Sequence, residues 1–348
     1  MVDQEFITVV FIMANWKSIF TYDPITPLVS SDNQAVAFYA KRDLQDKVDM
    51  DKTSLWDLPV ARKIVRKQNS DGSWTYPGGK PEVRSVENYN QIETFRNLGY
   101  LVESYGFDNT SEVITGAADF LFRFQTKQGD IRGILGNQYS PYYTAAILEL
   151  LIKAGYTEDT RVERAFKWLG EMRQNDGGWA IPLRTRNESL TVISMAAKTI
   201  EPDRTKPFSH MVTGIILRAY AAHPKYRKAP VAINAGKLLL NALFKKDNYT
   251  DRGSADYWLR FTYPFWFTDL ISALDSLSRL GFKNTEPQIE RALVWLLSNQ
   301  EEDGLWRLKT LKNKSTYQTE LWLSLAVCRV VRRLYDGGWE YPKVANFI

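Results

Sequence analysis

Gln68-Asn69-Ser70-Asp71-Gly72-Ser73-Trp74 has the form Q-x-x-x-G-x-W, and the form recurs along the chain. Gln300-Glu301-Glu302-Asp303-Gly304-Leu305-Trp306 matches it in full. Gln174-Asn175-Asp176-Gly177-Gly178-Trp179 is one residue shorter, and Gln125-Thr126-Lys127-Gln128-Gly129-Asp130-Ile131 carries Ile in place of Trp. The Gln-to-Gln steps are 57, 49 and 126 residues, the last being twice 63. A further copy is therefore expected near 240, with Phe244-Lys245-Lys246-Asp247-Asn248-Tyr249 as its worn remnant. Self-similarity at a period of roughly 50–60 residues signals an array of like units.

Each copy follows an apolar-periodic segment and supplies a glycine turn. Glycine takes positive φ without penalty and ends a helix. The Trp offers a large apolar body and one N–H in need of a partner. The motif thus reads as a staple that ends one helix, turns the chain and packs against the next unit. Around the staples, helical pairs are expected at 31–46 with 52–68, 86–105 with 109–126, 138–155 with 159–173, 207–223 with 229–245, and 261–281 with 285–299. A last helix is expected at 315–335. Gly106-Phe107, Gly155-Tyr156 and Gly281-Phe282 punctuate three of the pairs, each followed by a capping-box pattern: Asn109 to Glu112, Thr160 to Glu163, Thr285 to Gln288. No comparable strand signal exists, so the expectation is all-α. Residues 180–206 depart from the repeat as a long polar insert that suits a rim loop, with a short helix within 188–200.

The repeats resemble the QW motif of the squalene–hopene cyclase and protein prenyltransferase superfamily, over about residues 30 to 335. The resemblance implies an (α/α)6 toroid, a ring of about six helical hairpins. Residues 1–30 are then an N-terminal strap or helix that closes the ring, and 31–348 a single toroid domain. In the cyclases a D-x-D-D-T-A motif at the start of an inner helix protonates an alkene or epoxide. The best frame for it here, Ser140-Pro141-Tyr142-Tyr143-Thr144-Ala145, keeps Thr-Ala and lacks all three Asp. The prenyltransferases hold zinc with Asp, Cys and His. Here Cys328, His210 and His223 stand far apart in sequence, short of the usual zinc spacings. No metal and no cofactor is therefore expected.

Composition fits that reading. The 348 residues are 44% hydrophobic and 24% charged, as in soluble globular proteins. The net charge of +5 is spread without a Lys/Arg block, which disfavours nucleic-acid binding and leaves room for peripheral membrane association. The single cysteine, Cys328, cannot form an internal disulfide and suits a cytoplasmic setting. The apolar stretch Phe6 to Ala14 is too short to span a bilayer. Eleven Trp, 18 Tyr and 17 Phe exceed what the staples need and suggest an aromatic cavity.

Candidate site residues follow from aligning four inner helices on Thr144, Thr213, Thr268 and Thr319. Asp269 and Glu320 then fall at equivalent positions. A carboxylate pair in an apolar pocket would have one pKa raised, giving a proton donor beside a base. His210 is a third acid/base candidate. Glu93, Tyr142, Tyr143, Tyr263, Phe265, Trp266, Tyr317 and Trp322 are candidates for the wall that binds an apolar small molecule. The bland alternatives are core packing for the aromatics and Arg pairing or helix capping for the carboxylates.

Three functions compete. The first is a terpene cyclase-like isomerase or lyase acting on a terpenoid, with an acid other than the missing motif. The second is a non-catalytic isoprenoid-binding or scaffold protein of the same fold. The third is a carbohydrate-active glycosidase or lyase toroid that uses two carboxylates and aromatic platforms.

Overall fold

Helices and breaks follow the punctuation of the sequence. A computed structural model describes residues 15–78, 84–311 and 315–336. It is helical, with isolated bridges and no strand among the described residues. The main helices, in chain order, are α1 (Gln34–Leu44), α2 (Pro59–Val65), α3 (Val86–Tyr105), α4 (Glu112–Phe122), α5 (Pro141–Lys153), α6 (Thr160–Glu171), α7 (His210–Ala222), α8 (Pro230–Ala242), α9 (Leu270–Arg279), α10 (Pro287–Ser298) and α11 (Tyr317–Tyr335). The odd-numbered helices form the inner wall. Each packs on the next odd helix, and α11 packs on α1, which closes the circle. The even helices back them from outside, so the fold is an (α/α)6 toroid. In the sixth unit the outer place is held by the 3-10 turn Trp16–Ile19 and the short helix Ile25–Val29, both packed on α11.

The staples have one geometry. The indole Nε1 of Trp74, Trp179 and Trp306 donates to Ile64 O, Leu169 O and Leu296 O at 2.7–2.8 Å, ten residues back each time. The backbone N–H at the staple's last position donates to a hydroxyl on the following inner helix: Trp74 to Thr94, Ile131 to Thr144, Trp179 to Thr213, Trp306 to Ser324. The Gln amide ties the unit to the next outer element. Gln68 donates to Val113 O, Gln125 to Arg161 O and Gln300 to Tyr22 O. Gly72 has φ +88 and lies against the backbone of Gly116, where a Cβ would not fit.

Two expectations need correction. The fifth staple is not the 244–249 remnant: Trp258 takes the role, donating to Lys245 O from thirteen residues away because a longer loop intervenes. The glycine endings at Gly106, Gly155 and Gly281 have positive φ as expected. The capping boxes do not stand where the pattern put them. Ser111 and Glu286 begin α4 and α10 without a side-chain cap, and Asp159, one residue before Thr160, caps α6. Among the described residues a capping box joins Asp269 and Ser272 at α9. Within the insert, the helical part is Val192–Ala196, docked through Gln138, whose amide donates to Ser194 O and accepts from Ile200 N. The apolar stretch Phe6 to Ala14 lies outside the described residues. No described helix is long and apolar enough to cross a membrane.

Candidate functional site

The inner helices carry two layers of side chains toward the middle of the ring. Toward the N-terminal ends of the inner helices the layer is aromatic. Tyr142 and Tyr143 stand in the first turn of α5 with ring centroids 4.4 Å apart. Phe95 of α3 meets Tyr143 at 6.3 Å and Trp266 at 5.3 Å. Tyr263 stacks on Trp322 of α11 at 4.7 Å with planes 7° apart, and meets Phe265 edge-on at 5.9 Å. Tyr142, Tyr143, Tyr263, Phe265 and Trp266 are half-buried. Burial raises the phenol pKa of Tyr142 and Tyr143.

The segment 262–268 leads into α9 and crosses this layer. Its Trp266 reaches Phe95 and Tyr100 on α3, and its Tyr263 hydroxyl donates to Glu103 O on the same helix. Helices α3 and α9 are on opposite sides of the ring, so the segment crosses its middle. Gly99 makes room for the Trp266 indole; a Cβ there would collide with the ring.

Below lies a charged layer from the C-terminal halves of the inner helices. Lys153 pairs with Glu103 at 2.5 Å and Glu149 at 2.7 Å, and Arg218 pairs with Glu149 at 2.8 Å. Asp275 pairs with Arg279 at 2.9 Å and with Arg333. Asp43 pairs with Arg42 at 2.6 Å and Arg329 at 2.5 Å. The guanidinium groups hold the carboxyls of Glu149, Asp275 and Asp43 below the usual range against desolvation. None of this layer had been singled out from sequence. Its signal is faint: charged residues interrupting otherwise apolar inner helices.

The expected acid residues are placed as follows. Asp269 is buried and is the N-cap of α9. Its carboxylate accepts from Ser272 N at 2.8 Å and Thr262 N at 3.4 Å, and burial lifts its pKa to about 6. Glu320 is not its equivalent. It lies in the first turn of α11, 3.8 Å from Arg307 of the staple loop. The hydroxyl that matches Thr144 and Thr213 in α11 is Ser324, not Thr319, and Thr268 precedes α9 and donates to Met211 O. The alignment failed because two inner helices begin at different distances from their staples. His210 opens α7, 3.5 Å from Asp247 and 4.6 Å from the Trp258 ring, and burial lowers its pKa. Among the described residues no hydrogen bond or ion pair joins Asp269, Glu320 and His210 to one another. Tyr317 is 49% exposed and stands on the rim, not in the wall.

Glu93 gains interest from the register. It immediately precedes Thr94, as Tyr143 precedes Thr144, and both threonines receive a staple N–H. Its carboxylate accepts from Asn97 at 3.2 Å and pairs with Arg96 at 3.5 Å.

Two grooves lie away from all these residues. One of about 800 Å³ runs between α6 and the start of α8, along Phe166, Tyr220 and Tyr226. The other, of about 460 Å³, lies beside α1. Among the described residues no group of three or more His, Cys, Asp or Glu is disposed to hold a metal ion.

Residues 93–200, under a third of the chain, match the family model described as squalene-hopene cyclase C-terminal domain. The chain is similar to the squalene–hopene cyclase and terpenoid cyclase superfamily. No curated protein matches it by sequence. Among solved structures, an apo variant of the type II terpene cyclase MstE from Scytonema aligns at 13% identity and TM-score 0.42, covering 90% of this chain and 98% of that one. Another variant of MstE, in complex with its substrate geranylgeranyl dihydroxybenzoate, aligns at 13% identity and TM-score 0.40 over the same shares, 90% and 98%. A protein from Actinoplanes aligns at 16% identity and TM-score 0.38, covering 87% of this chain and 90% of that one.

Proposed function

We propose that this ring is a terpene cyclase-like protein that takes an isoprenoid or similarly apolar molecule into its bore. One observation supports the reading: aromatic rings from α3, α5, α11 and the 262–268 segment meet inside the ring of helices, those of Tyr142, Tyr143, Tyr263, Phe265 and Trp266 half-buried. Such walls bind apolar chains, and ring faces stabilise a cation near them. Asp269 is the acid of this proposal. A neutral carboxyl gives its proton to an alkene carbon and becomes a carboxylate. The resulting carbocation closes a ring onto a second alkene and ends by losing a proton to a base. Glu93 is the alternative acid, on its place before Thr94.

A second reading is favoured by a specific observation. Asp269, Glu93, Glu320 and His210 each already have a structural partner. On that reading the ring binds an isoprenoid without transforming it. Native mass spectrometry on protein from its own host tests the shared premise: a co-purifying isoprenoid is expected, and a sugar would sink it. Turnover of an isoprenoid substrate then separates the two readings. Asp269→Asn is expected to lower it by about 10²–10⁴-fold if Asp269 is the acid. Normal turnover in that variant removes Asp269 from the chemistry.

A further inference from the structure

We propose that the chain beyond α11 folds back onto its own ring and seats Trp339 in the groove beside α1, at a place where a staple is missing. The proposal concerns how the ring is closed and stands apart from the ligand reading above.

The staples define the place. Staple 68–74 bonds its own outer helix α2 at Ile64 O, the next inner helix α3 at Thr94, and the start of the next outer helix α4 at Val113 O. Staple 300–306 does the same with α10 at Leu296 O, α11 at Ser324, and the sixth outer element at Tyr22 O. Among the described residues no staple precedes α1. The helix Ile25–Val29 is joined to α1 by residues 30–33, too few for a seven-residue staple. In its place lies the groove of about 460 Å³. The same three kinds of element line it: Val29 from the sixth outer element, Phe38 and Lys41 from α1, and Met50 and Leu58 ahead of α2. Val48 and Val60, each two residues along the chain from Met50 and Leu58, are 53% and 58% exposed. Apolar surface left open in one area marks a place that something covers.

The sequence holds a spare staple. Asp336-Gly337-Gly338-Trp339-Glu340-Tyr341-Pro342 repeats Asp71-Gly72-Ser73-Trp74-Thr75-Tyr76-Pro77 at five of seven positions. It follows an inner helix, so it cannot close on its own unit. The carbonyl ten residues before Trp339 is that of Arg329, which lies inside α11 and is used by the helix as it runs on to Tyr335. Residues 337–348 lie outside the described residues, but their starting point is close to the groove. Asp336 pairs with Arg332 at 3.3 Å, and Arg332 donates to Asp46 at 2.8 Å and to Asp43 O at 2.6 Å, at the end of α1. Twelve residues reach up to about 40 Å, while α1 is about 16 Å long. Charge agrees as well. Lys41 lines the groove with no carboxylate paired to it among the described residues, and Glu340 directly follows Trp339.

The test uses the full chain. Trp339→Ala should speed hydrogen exchange in residues 29–34 and 50–58 by about five- to thirtyfold and leave α5 and α7 unchanged. Ser54 lines the groove, so Ser54→Cys combined with Glu340→Cys should give a cross-link within one chain on mild oxidation; the native Cys328 is buried and does not compete. Lys41→Glu should loosen the same residues, and Glu340→Lys added to it should restore their protection, a rescue that a merely weakened groove does not show. This charge swap carries the test should Trp339→Ala fail to fold. Equal exchange in wild type and Trp339→Ala, no cross-link, or a double charge variant no better protected than Lys41→Glu overturns the proposal. A cross-link found only between two chains also overturns it, and assigns the groove to a second copy.

Discussion

At the scale of the residue, the staple indoles join burial to a hydrogen bond. Trp179 and Trp306 are fully buried, and each N–H satisfies the carbonyl at the end of an outer helix. Alanine at either position is expected to cost about 3–5 kcal/mol, read by chemical denaturation; a loss under about 1 kcal/mol would show that the staple does not hold the fold. Asp269 makes a different prediction. Its folded pKa of about 6 exceeds the ordinary 3.8 because burial disfavours its charge. Between pH 6 and pH 4 the folded state therefore holds more protons than the unfolded one, and stability from this group rises as pH falls. The shift corresponds to about 3 kcal/mol. Asparagine caps a helix as well as aspartate does, so Asp269→Asn should fold. The stability gap between wild type and variant should move toward the wild type on going from pH 7 to pH 4. A flat gap would mean that the carboxyl is not desolvated.

At the scale of the element, the segment 262–268 occupies the bore that a ligand would need. Trp266→Ala should open space against Gly99 and Phe95. Tighter uptake of a longer isoprenoid, such as geranylgeraniol against farnesol, is the expected result; unchanged preference would place Trp266 outside the ligand's path. This segment also marks where sequence reasoning stopped. The staples were legible because glutamine, glycine and tryptophan act within seven residues of one another. The hairpins were legible from periodicity and glycine stops. Trp258 was not, since its longer loop erased the spacing. Which way Glu320 turns depends on where α11 begins, and a shift of one residue rotates a side chain by about 100°. The charged layer was hidden for a related reason: Glu103, Lys153, Arg218 and Asp275 come from four helices, and only the packing of those helices brings Lys153 to Glu103 and Arg218 to Glu149.

At the scale of the molecule, closure depends on a joint between distant parts of the chain. Gln300 Nε2 donates to Tyr22 O at 2.9 Å, while its Oε1 accepts from Thr21 N and Tyr22 N. Phe20 meets the Trp306 ring edge-on at 5.9 Å. Gln300→Ala should therefore loosen the N-terminal segment together with α11. Hydrogen exchange would show added opening along residues 16–29 and 317–335 and little change in α5 and α7. Uniform loss of protection would mean that the joint is not local. The other staples join neighbours in sequence and can form as soon as two hairpins exist. This one acts as a clasp. It fastens only after the last hairpin has been made, so the open hoop must wait for its own far end. A belt of this kind is weakest at its buckle, and heat or force should part it there first.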